Sequence, residues 1–305
     1  MVKASDPTVY FTNGYVVHDN FTAISCGYLE EPDATSSLIL LFDGTDWAGH
    51  MVDNDFIVSL TYCPDSNTLF GLGKFGVIKS VRPNGEFSLE NVRGRWTQEP
   101  LPLTHTGVLS SIASNHRDVL VCGWAGQMFI YKDQRWSPFT NGIVNPASCD
   151  FLDCYIFNDG QAYAVGINGI IYYNDGSRWH QLDSPTNEHL YAITPADDEK
   201  VYIAGAKGGL YLGDKIGWNF LGEDSETNFW DIHRFHGSLY IAGREDEMYT
   251  YNGSEIRLLN MGLGYTVSTN RLHGNDQVLW SFGADDLLKY DGRVWEYIRC
   301  PQNEQ

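Results

Sequence analysis

The chain has 305 residues, with 20 Lys+Arg against 39 Asp+Glu and a formal net charge of −19. So acidic a chain lacks the basic stripe of a general nucleic-acid binder and opposes docking on anionic membranes. Its 31 Gly, above the ordinary ~7%, together with 9 Trp, 18 Tyr and 15 Phe, predict many short strands joined by tight turns.

In chain order, the first segment, MVKASDPTVYF, has no apolar core of a signal peptide, and a strand is predicted near Thr8–Thr12. AISCG (23–27) and LILLFDGTDW (38–47) follow, interrupted by an insertion over Leu29–Ser37. A strand near Phe56–Tyr62 precedes LFGLGKFGVIKSVRPNGEF (69–87), and one near Val108–Ala113 precedes VLVCGWAGQMFIYKDQRW (119–136). Cys149–Phe157 leads into AYAVGINGIIYYNDGSRW (162–179), the clearest copy of what is now a repeat. The next copy parses strand by strand: His189–Thr194, Lys200–Ala204, Gly209–Leu212 and Trp218–Leu221. Asn228–His233 with LYIAGREDEMYTYNGSEI (239–256), then Tyr265–Thr269 with LWSFGADDLLKYDGRVW (279–295), complete the series.

One glycine anchors each copy: Gly27, Gly73, Gly123, Gly166, Gly205, Gly243 and Gly283, spaced by 46, 50, 43, 39, 38 and 40 residues. That period, with two-residue alternation and β-branched and aromatic residues, is the period of a four-stranded propeller blade. The expected fold is all-β, a seven-bladed β-propeller of four-stranded antiparallel blades in a single domain over 1–305. Asp43-Gly44, Asp175-Gly176, Asn252-Gly253 and Asp291-Gly292 are predicted hairpin turns in which both residues take φ > 0. Trp47, Trp136, Trp179, Trp218 and Trp295 follow these turns and are predicted to pack between neighbouring blades. The Thr8–Thr12 strand is expected to pair with the last blade near Val294–Arg299 and close the ring.

The unit V-G-x-x-G-x-I-x-x-x-D-G-x-x-W at Val165–Trp179 resembles bacterial propellers of the broad BNR/YVTN type, including photosystem II assembly-factor-like proteins. The resemblance covers most of the chain and implies a fold, not an activity. The unit is also similar to the sialidase Asp-box, but Tyr173 and Leu41 stand at the Ser position, which departs from that family.

Six cysteines (Cys26, Cys63, Cys122, Cys149, Cys154, Cys300) form no C-x-x-C pair and give no zinc spacing. Cys26 and Cys122 fill the apolar slot before the anchor glycine and read as core. No cofactor or metal is expected. His233 and His236 cluster, but in a strand only Asp231 and His233 share a face. Phe75, Trp124 and Trp230 read as core packing rather than partner anchors.

The acids are distributed more informatively. In a propeller the B–C turns and D–A connections emerge on one face. There the repeat places Glu30, Glu31, Asp33, Asp53 and Asp55 from blade 1, and Glu223, Asp224 and Glu226 before blade 6. Glu245, Asp246 and Glu247 come from blade 6, and Asp285 and Asp286 from blade 7. Blades 6, 7 and 1 are neighbours across ring closure, whereas the equivalent turns of blades 2–5 carry Lys74, Trp124, Asn168 and Lys207. A dense acidic sector attracts a basic protein and speeds association. The expectation is a non-catalytic protein-binding propeller, monomeric and cytoplasmic, engaging a basic or cation-lined protein as a bacterial immunity protein engages its toxin. The alternative is a propeller hydrolase or lyase acting on a carbohydrate or cyclic ester near the channel through His189, Tyr191, Trp230, Asp231 and His233, or a lectin-like glycan binder.

Overall fold

A computed structural model of the protein describes residues 9–28, 36–103, 107–223, 225–244 and 246–303. Seven antiparallel sheets of four strands each form the ring of a seven-bladed β-propeller. From the channel outward the strands of each blade are termed A to D. The A strands are Val9–His18, Ile57–Cys63, Leu109–Ser114, Phe151–Ile156, Leu190–Pro195, Asp231–Phe235 and Arg271–Gly274. They contact one another in sequence, and the last contacts the first.

The repeat follows from close packing. A side chain on five of the seven anchor glycines would collide with the connection leading into strand A, on Gly27 it would meet the Tyr10 ring, and on Gly243 Glu247 and the Tyr249 ring. On Gly123, Gly166, Gly205 and Gly283 it would meet the carbonyls of Val108, Asp150, His189 and Ser268, and on Gly73 the Asp55 carboxylate. The C–D turns hold by a different mechanism from the one predicted. In the four Asp-Gly and Asn-Gly turns only the glycine takes positive φ (Gly44 95°, Gly176 96°, Gly253 96°, Gly292 90°). The preceding Asp or Asn instead folds its side chain over the turn. Asp175 accepts from the amides of Ser177 and Arg178, both at 2.9 Å, and Asp291 from those of Arg293 and Val294, both at 2.8 Å. An Asx turn needs no left-handed Asp.

Each tryptophan after such a turn packs toward the preceding blade, as the repeat implied. Trp47 lies against the cluster of blades 1 and 7, Trp136 within that of blades 2 and 3, and Trp179 within that of blades 3 and 4. Trp218 and Trp295 do the same for blades 4–5 and 6–7. Cys26 and Cys122 are wholly buried, and burial pushes both thiols up from their ordinary range.

Two strand expectations are corrected. The N-terminal strand does not pair with the last blade: Val9–His18 is the inner strand of blade 1 and pairs with Phe21–Tyr28. Blade 7 keeps its own outer strand, Trp295–Tyr297. The ring closes by side-chain packing of Val9, Phe11, Val16 and Phe42 against Trp280, Phe282 and Leu287. Backbone ties add to it, from Phe11 N–H to the Ala284 carbonyl at 2.9 Å and from Val9 N–H to Asn303 Oδ1 at 3.2 Å. The inner strand of blade 7 is Arg271–Gly274, not Tyr265–Thr269. The earlier segment lies in a loop whose preceding residues Gly262 and Gly264 take left-handed φ, and Thr269 anchors it by donating to the Glu247 carbonyl at 2.9 Å.

Candidate functional site

Of the predicted acidic residues, Glu30, Glu31, Asp33, Asp224 and Glu245 lie outside the described residues. The others divide by what their carboxylates touch. Asp53, Glu223, Glu226, Asp246 and Asp285 are exposed. Asp55 is not: it is completely buried, and its carboxylate accepts the amides of Phe56 (2.7 Å), Phe75 (3.0 Å) and Val77 (3.1 Å). It shapes the B–C turn of blade 2 and presents no charge to a partner. Asp286 is half-buried and accepts from the amide and hydroxyl of Ser268 at 2.7 and 3.0 Å. Glu247, also half-buried, accepts from the Tyr249 hydroxyl at 2.9 Å.

Short ties draw these turns together. Thr269 bonds the Glu247 carbonyl, and the next residue back, Ser268, bonds Asp286 and receives the Asp285 amide at 3.1 Å. The Asp285–Asp286 turn in turn abuts blade 1, where Phe11 bonds Ala284. Blades 6, 7 and 1 therefore carry one continuous stretch of this face. A cation also sits within it: Arg244 shares a cavity with Glu226, Asn228, Trp230 and Asn270.

The same face holds a feature the sequence reading placed in the core. Phe75 and Trp124 are exposed, not packed. The signal was present: Lys74, Asn168 and Lys207 occupy that turn in other blades, which marks it as a solvent position. Trp230 is half-buried at the channel mouth, its ring 4.6 Å from that of Tyr191.

The central channel encloses about 530 Å³. Asp231 and His233 both line it, as their two-residue spacing implied. Their surroundings are structural. Five of the seven A strands carry a register shift near their start. A channel-facing residue near the start of several A strands ties to the next blade, with such a shift before Ser59 and Asp153 and none beside Asp231. Ser59 Oγ accepts the Ile112 amide at 3.3 Å, Asp153 accepts the Ile193 amide at 2.9 Å, and Asp231 accepts the Leu272 amide at 2.8 Å. Ser111 adds a hydroxyl bond to Asp153 at 2.7 Å. Desolvation raises the Asp231 carboxyl to about 6 despite Arg271 nearby, and lowers the His233 imidazole to about 4. His273, 5.4 Å from His233, accepts the Val16 amide on Nδ1 at 3.1 Å, so that nitrogen is unprotonated. His189 Nδ1 holds the Asn168 amide at 3.1 Å, fixing a turn of blade 4. Among the described residues no three His, Cys, Asp or Glu side chains form a group that could hold a metal ion, and no helix is long and apolar enough to cross a membrane.

Comparison with solved structures supports the fold expected from the blade unit. The WD40 β-propeller domain of Doa1 superposes with a TM-score of 0.70 at 14% identity, covering 99% of this chain and 96% of that one. YCF48 bound to a D1 peptide gives 0.70 at 13% identity over 93% and 94% of the two chains. YCF48 from Cyanidioschyzon merolae gives 0.68 at 13% identity over 93% and 95%. No protein-family model matches the chain. Immune protein Tsi7 of Pseudomonas aeruginosa is 31% identical over 320 positions, covering 98% of this chain and 100% of that protein. With propeller geometry throughout and relatedness over essentially the full length of both chains, the protein belongs to the Tsi7 family of immune proteins.

Proposed function

We propose that this protein is an immunity protein: it binds a protein toxin and neutralises it by holding it, without turnover. The observation that carries the reading is the full-length relationship to a protein named as an immune protein. Two further features support it. The channel carboxylates Asp153 and Asp231 are engaged by backbone amides, a scaffold role. The exposed acids Asp53, Glu223, Glu226, Asp246 and Asp285 share the face that bears the long connections, where a rigid scaffold commonly carries binding function. The partner in this reading is a basic protein, drawn in by a chain of net charge −19. A monomer acting in the cytoplasm fits the same reading.

The test is protection. The product of the gene directly upstream of this chain's gene is expressed in a sensitive bacterium with and without the chain. Growth restored only with the chain is expected. Equal killing in both overturns the proposal. In the purified pair, Glu226→Lys, Asp246→Lys and Asp285→Lys together are expected to slow association at least tenfold and to flatten its salt dependence.

A further inference from the structure

The upper face is chemically divided. Among the described residues, blades 6, 7 and 1 and the connection into blade 6 carry most of its exposed acids, with Asp183 on the connection from blade 4 to blade 5 outside that sector. The turns of blades 2 and 3 and the connections beside them carry exposed apolar groups instead. Phe75 is 53% exposed, Leu103 38%, Trp124 42% and Val144 56%. Isolated exposed apolar residues are ordinary, but a contiguous group marks an interaction site. The turns and connections that carry these four are tied to one another by short hydrogen bonds. Leu101 N–H bonds the Gly76 carbonyl at 2.8 Å, and the Leu103 side chain covers Gly76. Leu109 N–H bonds the Lys74 carbonyl at 2.9 Å, and Trp124 N–H bonds the neighbouring Val108 carbonyl at 2.8 Å. Gly126 N–H bonds the Cys149 carbonyl at 2.7 Å, and the Cys149 thiol reaches back to the Val144 carbonyl at 3.4 Å.

The frame beneath is rigid. Asp55 holds Phe75 and Val77, and Asp150 Oδ1 accepts the Ala125 amide at 3.0 Å. The two carboxylates in these turns thus face inward onto amides, which leaves the surface apolar with Lys74 beside Phe75, its Nζ 5.8 Å from the ring centre. Aromatic anchors on a fixed backbone lose little freedom on binding. They are the residue types that dominate interface affinity, whereas charges govern encounter rate and salt dependence.

We propose that this apolar quarter is the affinity-setting half of the toxin interface. It takes an apolar ridge of the basic toxin, whose flanking Lys and Arg side chains face the acidic half. The inference rests on the immunity reading above. Charge complementarity selects the occupant: the acidic half repels an acidic partner and orients a basic one over the same face. An interface of standard size buries about 800 Å² on each side, more than one blade's turns present, so such a partner covers both halves.

The test separates rates, using as probe the purified product of the upstream gene that passes the protection test above. Trp124→Ala and Phe75→Ala are expected to raise the dissociation rate at least 100-fold together, with the association rate and its salt slope unchanged. Asp246→Lys with Asp285→Lys is expected to do the reverse. Ile216→Ala, 89% exposed on the opposite face, is the control and should change neither. Unchanged melting of each variant excludes misfolding. If the aromatic variants bind within twofold of the unaltered chain, the inference fails and the immunity reading stands. If they instead dissociate a homodimer while toxin binding is unmoved, the inference also fails. If the unaltered chain does not bind the toxin, both fall.

Discussion

Asp53 and Asp55 are two residues apart, carry the same carboxylate and lie on the same connection. Their roles are opposite because one reaches solvent and the other reaches three amides. A buried donor left without an acceptor loses its bond and remains desolvated, at about 1–3 kcal/mol each. Asp55→Ala is therefore expected to destabilise the fold by about 3 kcal/mol or more, read as a lower urea midpoint at constant slope. Asp53→Ala should stay within about 0.5 kcal/mol. Equal effects of the two would show that the amide cluster does not hold the blade 2 turn.

At the scale of elements, the seam between blades 7 and 1 differs from a seam stitched by a shared sheet. It depends on packing, on Phe282 seated over Gly14, and on the Val16 amide held by His273. Burial keeps both His233 and His273 below the ordinary histidine value of 6.5, with His233 near 4. Between those values the unfolded chain binds more protons than the folded one. Stability is then full above pH 6.5 and falls as the pH drops toward 4. Asp231 runs the other way: its carboxyl is raised from 3.8 to about 6, so acidification across that range favours the fold. Urea midpoints measured from pH 6.5 to 4 should therefore fall less steeply in His233→Gln than in the unaltered chain, by on the order of 3 kcal/mol over the whole range. Asp231→Asn should make the fall steeper. Parallel curves for all three proteins would exclude burial of these groups as the source of acid sensitivity.

Over the whole molecule, seven apolar clusters each join residues of two adjacent blades. An open solenoid has nearest-neighbour coupling and two free ends. Here the last blade also packs on the first, so no blade sits at an end. Unfolding is expected as one transition, with ellipticity and tryptophan fluorescence coincident. Trp179→Ala in blade 4 and Trp295→Ala in blade 7 should each cost about 3–5 kcal/mol and shift both probes together. Separated probe midpoints in either variant would mean that the ring comes apart in sections.

The repeat was legible in the sequence because its determinants are local. Each anchor glycine and Asx turn acts within its own blade, each following tryptophan recurs at a fixed place after its turn, and two-residue alternation fixes which side chains face the core. Blade number, strand order and the slots of Cys26, Cys122 and the five tryptophans followed from that. The closure of the ring did not, because the Val9–His18 strand could satisfy its hydrogen bonds equally with either neighbouring sheet. Only the assembled ring decides that it completes blade 1. The surface behaves in the same way. Sequence assigns the acids to one face, but whether a given carboxylate turns outward like Asp246 or inward like Asp55 depends on which amides the fold brings within reach. Trp124 likewise looks like core in composition. Its exposure is decided by a turn held from beneath by Asp150, a residue from the next blade.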